Sequence, residues 1–90
     1  MKSDFYAKLR KQLNNIHSWP SVYLFKFIIP DDPKKITQVQ QLFGEDAYLD
    51  YTKSRKGNYI SISGKEVMMS ADEVINRYRK AQTIEQVIML

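Results

Sequence analysis

Tyr51-Thr52-Lys53-Ser54-Arg55-Lys56-Gly57-Asn58-Tyr59-Ile60-Ser61-Ile62-Ser63 is the stretch that decides the fold. Two alternating runs flank a basic turn that contains a glycine. Before the turn, Ala47, Leu49 and Tyr51 fall on one side, and Tyr48, Asp50 and Thr52 on the other. After it, Ile60 and Ile62 alternate with Tyr59, Ser61 and Ser63. Alternation of this kind is strand, and a short glycine turn between two such runs is a hairpin. Turning at Lys56-Gly57 sets Tyr51 opposite Ile62 and Thr52 opposite Ser61. Turning at Gly57-Asn58 shifts the pairing by one full pleat. Either choice keeps the apolar set on one face and the Ser, Thr and Tyr set on the other. The second strand extends to Val67 or Met68.

Upstream, Ser21 to Ile29 is apolar on both faces, with Tyr23, Phe25, Phe27 and Ile29 on one and Val22, Leu24, Lys26 and Ile28 on the other. That pattern predicts a central strand, with the aromatic set toward the core. Asp32 and Pro33 suit the N-cap and first position of a helix whose stripe is Ile36, Val39, Leu42 and Phe43, ended by Gly44. Downstream, Ser70 and Glu73 form a capping box, with Met69 and Val74 at the staple positions. Val74, Ile75, Tyr78 and Ala81 continue that helix, and Ile84 to Leu90 reads as a last strand. At the start, Phe5, Leu9, Leu13 and Ile16 make a narrow stripe, predicting a helix over residues 4–13 capped by Ser3.

The order is a helix followed by β-α-β-β-α-β. This predicts an α+β, ferredoxin-like sandwich, with two helices on one face of a four-stranded antiparallel sheet. Residues 1–17 read as an added amphipathic helix and connector, and residues 18–90 as the ferredoxin-like domain. The extra helix is expected to cover part of the open sheet face or to join a dimer contact.

Composition bounds the chemistry. The 90 residues carry a net charge of +4 and no cysteine. One small domain with a thin core is implied, and a dimer would add burial. Without Cys there are no disulfides, thiolate metal sites or Cys nucleophiles, which suits a cytoplasmic protein. No apolar run is long enough to span a bilayer and no signal peptide is expected. His17 is the only histidine, and it stands beside Trp19 and Pro20 with no third catalytic group in view. No enzyme activity, metal or cofactor is expected.

Lys56-Gly57-Asn58-Tyr59, with Ser54 before and Ser61 and Ser63 after, resembles the signature of the YbeD-like family of small uncharacterised bacterial proteins. Pro20, Tyr23, Phe25 and Lys26 are similar to that family's first strand, and Ile84 to Leu90 to its last. The resemblance covers residues 18–90; the first helix and Val67-Met68-Met69 depart from it. It implies a fold close to the ACT regulatory domains, which bind small effectors at the loop after the first strand, often at a dimer interface. Here that loop holds Asp31 and Asp32 and no Gly.

The expected function is therefore a non-enzymatic regulatory or interaction domain, a homodimer binding a small effector or a protein partner. The surface in question is the open-face set Tyr48, Thr52, Tyr59, Ser61 and Ser63. The alternative is a single-stranded RNA or DNA binder that uses this face, with Lys53, Arg55 and Lys56 at the hairpin tip contacting anions. The RNA-recognition motif places aromatics after its Lys/Arg-Gly pair, whereas this chain has Asn58 and Ile60 in those positions.

Overall fold

The computed structural model describes residues 2–90, with side chains from Asp4 onward. In chain order the elements are α1 (Lys2–Ile16), β1 (Ser21–Pro30), α2 (Pro33–Gln40), β2 (Tyr48–Lys53), β3 (Tyr59–Met68), α3 (Ala71–Ala81) and β4 (Ile88–Met89). The strands form one antiparallel sheet in the order β2-β3-β1-β4, the ferredoxin-like arrangement. β1 and β3 are central and pair along their whole length, from Ser21 opposite Met68 to Pro30 opposite Tyr59. The hairpin takes the Lys56-Gly57 register, with Tyr51 opposite Ile62 and Thr52 opposite Ser61. Gly57 has φ +75°, a left-handed conformation that glycine reaches without steric cost.

The core lies between the sheet and the helices. Phe25, Phe27 and Ile29 of β1 and Ile60, Ile62 and Met68 of β3 are buried against Val39 of α2 and Val74, Ile75 and Ala81 of α3. Both helix starts are capped as the sequence predicts: Asp32 accepts from the Lys34 N–H, and Ser70 from the Glu73 N–H. Each cap satisfies an N–H that the helix leaves unpaired, a contribution of about 1 kcal/mol.

The structure differs from expectation in four places. α1 does not cover the open face. It packs beside α3 in the helix layer, where Tyr6 and Leu13 enter the shared core. Leu9 and Leu13 of the expected stripe face the core, but Tyr6 takes the place of Phe5, and Phe5 and Ile16 stay exposed. The polar side of α3 explains the choice: the Tyr6 hydroxyl donates to Gln82 Oε1 at 2.8 Å and its ring lies 4.7 Å from the Arg79 guanidinium. A phenylalanine could make only the second contact. The helix also runs past the expected end at residue 13, to Ile16.

Second, β4 is only Ile88–Met89. The chain after α3 makes successive turns that bury Ile84 as a plug, and Gln86, at φ +66°, redirects it into the sheet. Third, α2 ends at Gln40 with Gln41 as its cap, and Leu42 and Phe43 follow in turns. Gly44 is therefore not the residue that terminates it. Fourth, Met69 remains exposed while Val74 is fully buried, so the staple expected between them does not hide Met69.

The hydroxyls of Tyr23 and Tyr78 meet at 3.0 Å behind the aromatic cluster. Burial, and next the Tyr23 hydroxyl, hold the Tyr78 phenol above the ordinary tyrosine value. The fold thus favours the neutral phenol. That stability is complete below the unfolded value near pH ~10 and is lost as pH rises through the folded one. Tyr78→Phe is expected to cost about 1 kcal/mol at neutral pH. Its melting temperature should fall less steeply above pH ~10 than that of the wild type. Parallel melting curves against pH would refute the assignment.

Candidate functional site

Every described helix lies on one side of the sheet, so the other side is uncovered. Register and pleat place on it Val22, Leu24, Lys26 and Ile28 of β1, Tyr59, Ser61, Ser63, Lys65 and Val67 of β3, Tyr48, Asp50 and Thr52 of β2, and Ile88 of β4. The five residues that the sequence assigns to this face, Tyr48, Thr52, Tyr59, Ser61 and Ser63, are all brought together there. The face is divided along its length. The β1 and β4 side is aliphatic, with Val22 and Leu24 more than half exposed, and Val67 of β3 continues it. The β2 and β3 side carries the hydroxyls.

Lys26 stands opposite Ser63, and Lys65 is flanked by Leu24 and Tyr48. Among the described residues, Lys26, Lys65 and Asp50 make no salt bridge. Sequence reasoning placed Val22, Leu24, Lys26 and Ile28 on this side of β1 but did not count them as a site. It left out Lys65 and Val67, although both continue the alternation of the hairpin's second strand, and it missed Ile88 because the last strand had no fixed neighbour. The signal was present in the β1 alternation: an apolar outer row is unusual unless something covers it.

The other candidates have structural roles. The side chain of Asp32 is spent on the α2 cap. Asp31 is tied to the hairpin: its N–H donates to the Asn58 carbonyl at 3.0 Å, and its carboxylate lies 3.5 Å from Lys53 Nζ. The loop that the resemblance points to as an effector site is thus pinned against the hairpin. Lys53 pairs with Ile60, on the helix side of the sheet, and so parts from Arg55 and Lys56, which stay exposed in the turn. The three cations do not share the open face.

The motif around Lys56-Gly57-Asn58-Tyr59 builds the turn itself. The Gly57 N–H donates to the Ser54 carbonyl, the Ser54 N–H to the Tyr59 carbonyl, and the Tyr59 N–H to Ser54 Oγ. Ser54 and Gly57 are there for backbone geometry, and Tyr59 alone of the four motif residues presents its side chain to the open face. His17 stacks on Trp19 at 5.2 Å and its Nδ1 lies 3.1 Å from Ser21 Oγ, which makes it a packing residue at the start of β1. Among the described residues, no group of three or more His, Asp or Glu side chains could hold a metal ion.

A cavity of about 200 Å³ lies between α1, α3 and β4, lined by Phe5, Tyr6, Leu9, Tyr78, Met89 and Leu90. Its two hydroxyls are already engaged, Tyr6 with Gln82 and Tyr78 with Tyr23. No helix among the described residues is long and apolar enough to cross a membrane.

No curated protein and no solved structure matches the chain. A family match does exist, and it spans residues 5–90. It takes in α1 and the Val67-Met68-Met69 segment, so neither stands outside the family. Across nearly its whole length, then, the chain belongs to the family described as "Protein of unknown function (DUF493)".

Proposed function

We propose that this chain is a non-enzymatic interaction domain of the cytoplasm that docks a protein partner on the uncovered face of its sheet. The observation that carries the reading is the aliphatic row Val22, Leu24, Val67 and Ile88, about half or more exposed on the uncovered face, with the half-buried Ile28 continuing it. Strand spacing and rise make the face on the order of 500 Å². That approaches one side of a small specific interface. An apolar strip bordered along one side by Ser and Thr combines the apolar contact and the polar margin that such a surface uses.

The resemblance to YbeD-like proteins, and through them to ACT domains, supports a regulatory role for that docking. Single-stranded nucleic acid is the weaker reading. Base stacking needs aromatics on the open side of the central strands. In β1 the aromatics Tyr23, Phe25 and Phe27 all face the helices, and the open side offers aliphatics.

Site-specific photocross-linking in cells tests the proposal. A benzophenone side chain at Leu24, on the open face, is expected to give discrete protein adducts that survive RNase. The same side chain at Asn76, exposed on α3, is not. Equal adducts from both positions, none from Leu24, or adducts removed by RNase would each overturn it.

A further inference from the structure

The open face has a definite chemistry, and it selects among protein partners. Resting on the reading above, we infer that its partner is an amphipathic α-helix with acidic flanks, laid along β1.

Three observations converge. The first is architectural. A sheet with helices on one side and an aliphatic row on the other lacks a layer, and helices are a common cover for a sheet face. The sequence itself suggests α1 for this place, but Tyr6 and Leu13 commit α1 to the other layer. The cover must come from elsewhere.

The second is dimension. The open-face aliphatics of β1 run from the exposed Val22 to the half-buried Ile28, with Val67 beside Val22 and Ile88 beside Ile28. At strand rise this row is about 20 Å long. A helix of about 13 residues matches that length, enough for about three and a half turns and an apolar stripe repeating every three or four residues. Val67, Val22, Leu24, Ile28 and Ile88 form a band rather than a deep slot, which suits a helix stripe better than a single extended segment.

The third is charge. Lys26 interrupts the aliphatic row, and Lys65 stands beside Leu24. Neither is in an ion pair among the described residues, whereas the cations Lys53 and Arg77 are neutralised within the fold. The one acid of this face, Asp50, is on the outer strand β2, opposite Ser63 and diagonal to Lys65, and makes no salt bridge with it. Two unneutralised ammonium groups beside an apolar band favour a partner that brings carboxylates and disfavour a cationic one. A second copy of this chain fits less well. A twofold that lays β1 on β1 brings both Lys26 ammonium groups into one apolar seam, and one that lays β1 on β3 sets the aliphatic band against the serine row.

The test uses the intact chain and a synthetic peptide of about 15 residues, roughly 22 Å as a helix. The peptide carries leucines at helical spacing, alanines, and glutamates on both flanks, with a fluorescein label. A counterpart has lysine in place of every glutamate, and an oligouridylate of similar length serves as the third ligand. By fluorescence anisotropy, the glutamate peptide is expected to bind at least ~10-fold more tightly than the lysine peptide, a margin that should narrow with salt. In the double variant Lys26→Glu with Lys65→Glu the preference should invert. In Leu24→Asp with Val67→Asp binding of both peptides should be lost, with circular dichroism confirming that each variant is folded.

No binding of the glutamate peptide, equal binding of the two peptides, or a preference that survives the charge reversal would overturn the inference. So would tighter binding of the oligouridylate, or a peptide-free chain that sediments as a dimer blocked at Leu24. Photocross-links from Leu24 without any peptide preference would leave the docking proposal standing and remove only the acidic helix. Absence of cross-links would remove both.

Discussion

Gly64→Val is expected to be among the most damaging single substitutions in this protein. Gly64 is on β3, on the side that faces the helices, and it is buried. A Cβ built there overlaps the edge of the Phe43 ring and comes to 3.0 Å from Leu49 Cδ2. The ring cannot easily yield, because it is packed edge-on against Phe25, with centroids 5.9 Å apart, and 6.1 Å from Phe27. Overfilling a dense core usually costs about 1–3 kcal/mol, and a branched side chain at a point of direct overlap belongs at the top of that range. For a domain of this size about 3 kcal/mol corresponds to roughly 12–24 °C in melting temperature.

The mechanism is separable from a general intolerance of β3 by a double-mutant cycle. Phe43→Ala alone should destabilise, yet in the Gly64→Val background it should restore part of the loss, because the two side chains compete for one volume. Thermal melts of the four proteins decide it. A Gly64→Val protein that melts within a few degrees of the wild type, or additive effects of the two changes, would show that the site has room.

Arg77→Ala is the second large effect. The Arg77 guanidinium lies 2.7 Å from Glu66 Oε1, and the two side chains are only 12% and 17% exposed. It also lies 5.2 Å from the Phe25 ring centroid and 5.3 Å from that of Phe43. Glu66 in turn accepts the Gly44 N–H at 3.3 Å. One cation therefore joins α3, β3, the central aromatics and the loop after α2. Removing it leaves a carboxylate poorly solvated and unpaired, which typically costs about 3–5 kcal/mol, whereas an exposed pair contributes about 0–1 kcal/mol.

Replacing both partners with methionine should cost much less than Arg77→Ala, because no charge is then stranded. Urea denaturation of Arg77→Ala and of the double variant measures both quantities. A loss below about 1 kcal/mol for Arg77→Ala would place the pair among ordinary surface bridges.

These two sites show where reading the sequence stops. Gly64 follows Ser63 in what reads as an ordinary alternating strand, and nothing local marks it as the floor beneath Phe43. Glu66 and Arg77 are 11 positions apart and are joined only when α3 folds back over β3. The hairpin was legible because its information is local. Alternation sets the faces and Gly57 narrows the turn to two placements that keep them, of which the structure takes Lys56-Gly57. The caps at Asp32 and Ser70 were legible for the same reason, since each donor and acceptor lie within one turn.

α1 was half legible. Its existence follows from period, but its partner does not, because a narrow stripe fits any apolar surface. The choice of Tyr6 over Phe5 as the buried residue rests on Gln82 and Arg79, more than 70 positions away. β4 was misjudged in length because an apolar run over Ile84 to Leu90 looks the same whether it is a strand or a buried plug followed by a short strand. The candidate surface divides in the same way. Tyr48, Thr52, Tyr59, Ser61 and Ser63 follow from alternation, as does Lys65 on the same strand, whereas Ile88 joins them only through its pairing with β1.

By itself, then, the sequence determined the ferredoxin-like order of elements, the two faces of the hairpin, the inward aromatic row of β1 and the helix caps at Asp32 and Ser70. Each depends on contacts between near neighbours, whose geometry the backbone period dictates. Only the tertiary structure decided that α1 joins the helix layer and that one sheet face stays open. It also decided that Asp31 and Lys53 are spent on each other, leaving Lys26 and Lys65 as unneutralised cations of the open face. Those outcomes depend on which distant surfaces win the competition for burial, and a linear pattern does not record that competition.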